Sequence, residues 1–416
     1  MEPRLDSSDH GQPASEFDPT APGVDADPHS MYHDLRARCP VAHSGAHGGF
    51  WAVTTREDVE RVASEPETFS SAQGIIVPRN RASGRRPPLH FDPPEHSVFR
   101  AAINPAFRKD RLARLEPIVA EGAARLVTKA VAAGEADAFV DLASPLAATS
   151  VGHLLNLPDE LRDTFTHHAS AFEHAQFRFD AETVEAENLV LYDLSRRFVA
   201  ERAADPADPD EDVTSGLLAI DPAKLTFLTV DGSAPSRDAL VEITAGSIRQ
   251  LVVAGHGAPA LVLANAIRHL ALDGELQDRA RREPEIVPDL VEELLRLHTP
   301  NQGFARTVVR PTTIGGRQLP VGAMVAIPYT AANRDPAAFE RPDEVVIGRA
   351  ERHLAFGFGV HICPGSHLGR RQTVLLLESL LAATSHFEVA GEATWAPFPV
   401  HGPITQPLRL TPAHFG

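Results

Sequence analysis

FGFGVHICPG, residues 356–365, places a cysteine in a glycine-rich turn just before a helix-forming run. Gly357 and Gly359 allow backbone conformations that other residues avoid. The run LGRRQTVLLLESLLAATS follows with helical periodicity, and Pro364 suits the first position of such a helix. Amide hydrogens and the positive end of the helix dipole would then lie beside Cys363. This setting predicts a lowered pKa for the thiol and a thiolate able to bind a metal.

Two plainer interpretations of Cys363 compete with metal binding. A lone cysteine is most often a buried, unreactive thiol. A zinc site would need further thiols at short spacing, but Cys39 is the only other cysteine and no CxxC pair exists. Further motifs must therefore decide the role of Cys363.

Composition limits the class of protein. The chain has 416 residues, 43% of them hydrophobic, and a formal net charge of −17, which argues against nucleic acid as a general partner. We find no repeat and no long low-complexity linker. We therefore expect a disordered or draped tail over residues 1–28, rich in Pro, Asp, Ser and Gly, and one large domain over residues 29–416. Two cysteines fit a reducing, cytoplasmic compartment, and no leader or membrane-spanning run is evident.

Two pairs of residues at helical spacing stand out along the chain. FDPPEHSVFRAAINPAF, residues 91–107, puts His96 and Arg100 on one helix face. EELLR, residues 292–296, does the same for Glu293 and Arg296. Taken alone, each pair could be an ordinary solvated helix face or a surface ion pair.

A long apolar stretch runs from about Arg237 to Leu272 and predicts one helix that crosses the whole domain. Its middle reads LVVAGHGAPALVL, with Pro259 inside the helix. An interior proline costs about 3 kcal/mol and bends a helix. Further on, FARTVVRPTTIGGRQLPVGAMVAIPY alternates around Gly315 and Gly316, which predicts a β-hairpin.

These motifs, in this order, resemble the cytochromes P-450, the haem-thiolate monooxygenases. The family pattern FGxGxHxCxG is met at all its fixed positions, and the resemblance covers roughly residues 30–412. It implies a mainly α fold with a smaller β-rich part, a triangular-prism helical domain, and a soluble bacterial-type enzyme with haem b. Cys363 would be the axial iron ligand, and Gly359 would let the loop pass close to the macrocycle. The other loop positions that the resemblance assigns to cofactor binding are Phe356, Gly357, His361 and Gly365.

The resemblance also assigns roles outside the loop. His96, Arg100 and Arg306 would donate to the haem propionates, while Glu293, Arg296 and Arg349 would form a buried set that holds the loop. Ala254 and Gly255 match the first half of the oxygen-site signature AGxxT in the long helix. Residues expected to line the substrate pocket lie in several segments: Ile75, Ile76, Phe172, Gln250, Val253, Gln302, Phe304 and Val400.

The second half of that signature departs from the family. Gly257 replaces the usual acid and Ala258 the usual threonine, and neither carries a side-chain donor. His256, two positions before Ala258, should point away from that face of a regular helix. We therefore expect a polar group on the substrate to assist proton delivery. A tolerant chain of water, a peroxide-using or non-oxygenating haem-thiolate enzyme, and a haem sensor without turnover are the alternatives.

A basic cluster in this acidic chain suggests where a partner binds. In the family, the helix that carries it borders the proximal face, where an acidic electron donor docks. The resemblance thus implies a ferredoxin or similar donor, a small-molecule substrate and a monomeric enzyme. The expected docking residues are Arg108, Lys109, Arg111 and Arg114.

Overall fold

A computed structural model of the chain describes residues 14–79, 85–178 and 180–413. Most of these residues are helical. The helices are α1 Pro28–Arg38, α2 Arg56–Ser64, α3 Glu95–Ile103, α4 Lys109–Ala113, α5 Glu116–Ala133, α6 Ser144–Leu154, α7 Asp159–Phe177, α8 Ala181–Ala204, α9 Val213–Leu218, α10 Arg237–Leu272, α11 Gly274–Arg282, α12 Val287–Leu297, α13 Tyr329–Ala332 and α14 Ser366–Ala383.

The strands are short and fall into four small sheets. They are β1 Val41–Ser44, β2 Phe50–Val53, β3 Phe69–Ser70, β4 Glu135–Asp137, β5 Ala305–Val308, β6 Thr312–Ile314, β7 Arg317–Leu319, β8 Met324–Ala326, β9 Thr384–Val389, β10 Thr394–Trp395, β11 Pro403–Thr405 and β12 Pro407–Pro412. The largest sheet has the order β1-β2-β8-β5-β3, with only the β2–β8 pair parallel. The order β4-β12-β9 forms a second sheet, and β6–β7 and β10–β11 are two-stranded.

Helix α10 is the central element, and its bounds confirm the helix expected from the sequence. By length and composition alone it could cross a membrane, yet it is a core helix of this fold that packs against α6, α7 and α8. Its first half, up to Val252, belongs to one apolar cluster with α3, α7, α8 and α9. Its second half, from Ala260, belongs to another with α5, α6, α12 and α14. The turn between the two clusters, residues 253–259, contains the altered signature.

Small differences from the sequence expectations are local. Helix α14 begins at Ser366, with Gly365 as its N-cap, so Pro364 lies in the preceding turn and not at the first helical position. Helix ends are the least certain feature of any sequence pattern. The hairpin around Gly315 is confirmed, because β6 and β7 pair as antiparallel strands. Both glycines of its turn, Gly315 and Gly316, adopt positive φ. Of the expected tail, residues 1–13 lie outside the described residues, while Phe17 packs on Phe50 with ring centroids 5.6 Å apart.

Candidate active site

The Cys363 loop is closed by its own backbone. The Cys363 N–H donates to the Phe356 carbonyl at 2.8 Å, so the two ends of the motif meet. Gly357 and Gly359 have φ of 78° and 71°, in the left-handed region that glycine adopts without strain. A Cβ at Gly359 would lie 2.6 Å from the Ala63 carbonyl oxygen. The close approach that the described residues show at this glycine is to α2, and its approach to a macrocycle stays a prediction.

Donors gather beside this loop without acidic partners among the described side chains that contact them. The His96 and His361 rings lie 4.5 Å apart, and His361 Nε2 is 3.0 Å from Ser71 Oγ. Arg100 donates to the Ile362 carbonyl at 2.6 Å, which ties α3 to the loop. Arg306 is only 5% exposed, and its guanidinium donates to one backbone carbonyl, that of Ala305. His96 Nε2 is buried and has no hydrogen-bond partner in the part of the chain that the structure describes.

The local electrostatics favour an anion at this place. Burial, with help from neighbouring arginines, lowers the pKa of His96 to about 4. Burial likewise lowers the pKa of the fully enclosed Arg306. A buried, unpaired donor costs free energy until a partner satisfies it. Carboxylates of a bound group, such as the two propionates of haem, would supply that partner.

The sulfur itself does not follow the sequence expectation. Burial raises the pKa of the Cys363 thiol, and this effect outweighs the opposing ones of the Gly365 amide, Arg100 and Arg370. A thiolate therefore needs a bound cation, because burial alone disfavours the charged form. Gly365 itself adopts ordinary φ and a Cβ there would sit 3.8 Å from the sulfur, so its contribution is the backbone N–H.

The Glu293–Arg296–Arg349 set comes together as expected from the sequence. Arg296 Nε and Arg349 Nε lie 2.8 and 3.1 Å from Glu293 Oε1, and all three side chains are at most 5% exposed. Arg296 also donates to the carbonyls of Asn333, Pro342 and Glu344. These bonds fix the segment that leads into the Cys363 loop.

The distal residues occupy the middle of α10. Ala254 is exposed although it lies in the central helix, and Ala258 is half-buried, while His256 and Gly257 are buried. The helix thus presents one open face at this turn. A Cβ at Gly255 would collide with Val151 of α6, so the glycine lets the two helices approach closely.

The expected pocket residues form two groups. Around β5, Ile76 forms a β-bridge with Phe304, the Ile75 carbonyl accepts from the Ala305 N–H, and Gln302 Nε2 donates 2.8 Å to the Val400 carbonyl. Gln302 therefore links two segments of the chain by a hydrogen bond. The second group lies on α7 and α10: Phe172, Gln250 and Val253.

The basic cluster needs correction at Arg111. This side chain is 4% exposed and donates to the carbonyls of Glu211 and Leu154 and to Asn156 Oδ1, so it cannot meet a partner. Sequence alone could not show this, because its acceptors lie some 43 to 100 residues away. Arg108 and Arg114 are exposed but form ion pairs with Asp210 and Glu211, respectively.

Sequence reasoning missed one buried acid. Glu173 of α7 is 4% exposed, and its Oε2 lies 3.1 Å from His256 Nδ1. On the other side of the ring, His256 Nε2 lies 2.9 Å from Ser144 Oγ of α6. His256 thus points away from the open face of α10, as the helical geometry predicted. The only sequence signal for this cluster was the glycine standing where an acid was expected.

Comparisons with known proteins agree with this arrangement. The sequence pattern of the family described as cytochrome P450 matches residues 241–399. Cytochrome P450 130 of Mycobacterium tuberculosis is 31% identical over 405 residues, with 92% of this chain and 95% of that protein covered. The erythromycin C-12 hydroxylase of Saccharopolyspora erythraea is 31% identical, with 80% and 82% covered. The structure of cytochrome P450 CYP109Q5 from Chondromyces apiculatus superposes with a TM-score of 0.81 at 28% identity, covering 95% and 98% of the two chains.

The chain therefore belongs to the cytochrome P450 family, and it is a haem enzyme of the monooxygenase type. Its mainly helical fold with small β-sheets is the cytochrome P450 fold.

Proposed function

We propose that this protein binds haem b through Cys363 and inserts one oxygen atom from O₂ into a small organic substrate. Two electrons would come from a ferredoxin-type protein. The observation that carries the proposal is the sulfur-bearing loop beside a cluster of donors that have no acidic partner among the described residues: His96, Arg100 and Arg306. The haem, once bound, supplies the redox chemistry, and the protein supplies the thiolate and the shaped site.

Each residue has a defined task in this proposal. Cys363 binds the iron, and the Gly365 N–H donates to the sulfur. His96 and Arg306, together with Arg100 and His361, hold the two propionates and so fix the orientation of the ring. Hydrogen bonds to the groups that surround a metal help to set the geometry of the metal centre. Ala254 and Gly255 border the open face of α10, where the substrate and O₂ would meet.

The surface for the electron donor is smaller than the sequence indicated. With Arg111 buried, the exposed basic residues of the cluster are Arg108, Lys109 and Arg114. Among the described residues, Lys109 forms no ion pair, whereas Arg108 and Arg114 share their charge with acids of this chain. We therefore propose that Lys109 makes the strongest electrostatic attraction to an acidic electron donor. The cytoplasm, where such donors and reduced thiols occur together, is the compartment this proposal implies.

Charge reversal tests the donor surface. Lys109→Glu should slow reduction by a ferredoxin at low salt, and the difference should shrink as salt rises, because exposed charges are screened over about 10 Å at 0.1 M. Lys129→Glu, an exposed lysine on α5, is the matched control. Equal reduction rates for both variants would place the docking site elsewhere.

A peroxide-dependent or non-oxygenating reaction is the second candidate. It is favoured by Gly257 and Ala258, because neither residue can hold a proton for O₂ chemistry. The deciding experiment uses the haem-loaded protein with a substrate found by a spin-state binding screen. Product formed with ferredoxin, its reductase, NAD(P)H and O₂ supports the monooxygenase, whereas product formed only with hydrogen peroxide supports the alternative.

A further inference from the structure

The space beside Gly257 is already filled by an acid from another helix. A Cβ built on Gly257 would collide with Oε1 of Glu173, and its next neighbours would be the Cδ and Oε2 atoms of the same carboxyl group. A side chain at position 257 and the Glu173 side chain therefore compete for one volume. The family resemblance places an acid at position 257. In this chain position 257 is glycine, and the carboxyl group beside it is that of Glu173 from α7.

The Glu173 carboxyl group is enclosed and poorly satisfied. Both of its oxygens are buried, and neither accepts a well-aligned hydrogen bond from a described residue. Its nearest partner is His256 Nδ1 at 3.1 Å, itself 1% exposed. Buried carboxyl groups that lack donors are rare in folded proteins and concentrate at functional sites.

A row of proton-carrying groups leads away from Glu173 across α10. His256 has Glu173 on one ring nitrogen and Ser144 Oγ, 2.9 Å away, on the other. Ser144 is the most exposed of the three, at 9%. An imidazole bridging two polar groups can take a proton at one nitrogen and release one at the other.

One buried arginine and two histidines lie near this carboxyl group on the elements packed against it. Arg249 of α10 is buried, lies 4.5 Å from the Phe172 ring, and interacts electrostatically with Glu173. His174, the next residue of α7, and His256 also face it. An acid among such groups can lose and regain a proton without leaving an isolated buried charge.

We infer that Glu173 is the acid of the oxygen site, replacing across space the acid that α10 lacks at Gly257. The inference rests on the proposed reaction with O₂. Each turnover consumes substrate, O₂, two electrons from the ferredoxin-type donor and two protons, and yields hydroxylated substrate and water. Glu173 in its acid form gives a proton to a chain of water that would join it to the open face of α10, and it becomes a carboxylate. His256 reprotonates it through Nδ1 and is recharged from solvent through Ser144.

This assignment changes the expectation drawn from the sequence alone. If the protein supplies the acid, the substrate need not carry a polar group near the reacting carbon. Glu173 acts through water and His256 relays to it, so both are positioning and relay residues, and their test must separate proton delivery from simple packing.

The first test compares Glu173→Gln with the wild-type haem protein. Removing the acid should lower the rate of O₂-driven product formation by about 10²-fold, the lower range for general acid catalysis. Peroxide released per NAD(P)H consumed should rise, and the solvent hydrogen-isotope effect should increase. Turnover driven by added hydrogen peroxide, which brings its own protons, should stay within about twofold. The matched control is Glu160→Gln, an exposed carboxyl group of the same helix.

The second test moves the acid back to α10. Glu173→Ala empties the shared volume, and Gly257→Asp added to it places a carboxyl group there. The double variant should recover coupling relative to Glu173→Ala alone, which a packing role for Glu173 would not predict.

The outcomes separate this inference from the proposed function. A wild-type protein with no O₂-driven turnover overturns the monooxygenase proposal and with it the inference. A wild-type protein that turns over, with Glu173→Gln equally well coupled, overturns the inference alone. Equal losses in the O₂ and peroxide reactions, or a double variant no better coupled than Glu173→Ala, also overturn it, because they indicate a structural role.

Discussion

The two faces of the candidate site are built in opposite ways. On the side of the sulfur, ten consecutive residues supply the proposed iron ligand and the glycines of the turn, and the backbone closes the loop from Phe356 to Cys363. On the side of α10, one cluster draws Ser144, Glu173 and His256 from three helices, and the first and the last are 112 positions apart in the sequence. The first arrangement can be recognised in a sequence, whereas the second exists only after the helices have packed.

The largest effect should come from the sulfur side. Cys363→His should abolish the thiolate-specific Soret band of the reduced carbon monoxide complex, since no other described thiol lies in the loop. Absorption spectroscopy on the reconstituted variant measures this, and Cys39→Ser is the control that should keep the band. An unchanged band in Cys363→His would contradict the assignment of Cys363 as the iron ligand, and with it the contrast between the two faces of the site.

A second prediction asks whether the loop is as self-contained as its sequence suggests. Glu293→Gln leaves Arg296 and Arg349 buried without their shared carboxylate, and breaking a buried ion pair costs about 3–5 kcal/mol. Glu242→Gln, which breaks an exposed pair with Arg196, should cost at most about 1 kcal/mol. Denaturant unfolding compares the two. Equal, small losses would show that the loop holds itself without this distant support.

A third prediction concerns the charge state on the α10 side. Burial acts to lower the pKa of His256, but Glu173 and the contact with Ser144 outweigh it and raise the pKa above 6.5. A group whose pKa is raised by folding contributes its full stabilisation at pH values below its pKa in the unfolded chain. This contribution is lost as the pH rises through its pKa in the folded protein. Glu173→Gln should therefore lower the pKa of His256, with Arg249 and His174 still facing it.

The NMR titration of the His256 ring measures this shift, which should be downward because Gln carries no charge. Unfolding experiments at about pH 6 and about pH 9 supply the second readout, since the variant should lose more stability at the lower pH. A variant with an unchanged His256 titration would show that the two side chains are close but not coupled, which would weaken the contrast between the two faces.

The smallest effect concerns the residue after the proposed iron ligand, Cys363. Pro364 has no N–H to give to the sulfur, whereas Gly365 does. Pro364→Ala should add a donor, draw electron density from the thiolate and move the haem reduction potential to a more positive value. Pro364→Val restores the same N–H and should shift the potential in the same direction. A redox titration showing an equal or more negative potential in both variants would contradict the donor argument.

Local patterns predicted much of the fold. The apolar periodicity gave the bounds of α10, and the Gly315–Gly316 pair gave the β6–β7 hairpin, because both depend on residues that are neighbours in the chain. Ion pairs at helical spacing, such as Glu293–Arg296, were visible for the same reason.

Properties that depend on burial were not predicted. Arg111 looked like a surface charge, yet it lies in the interior with acceptors from α6 and the segment before α9. The pKa of Cys363 was expected to fall because of the nearby helix end, but burial raises it. Glu173 passed unnoticed in a histidine-rich helix, since nothing in its neighbouring residues shows that it meets Gly257. Burial depends on how the whole chain packs, so it cannot be predicted from a short stretch of sequence.

Pro259 gives α10 one more property at the same turn. A proline has no N–H, so the Gly255 carbonyl oxygen, four residues earlier, loses the donor that a regular helix would provide. A main-chain acceptor in a folded protein seeks another donor, and a bound water molecule can supply it. The proline therefore leaves one step of the helical ladder open to a partner from outside the helix, in the same stretch that carries the altered signature.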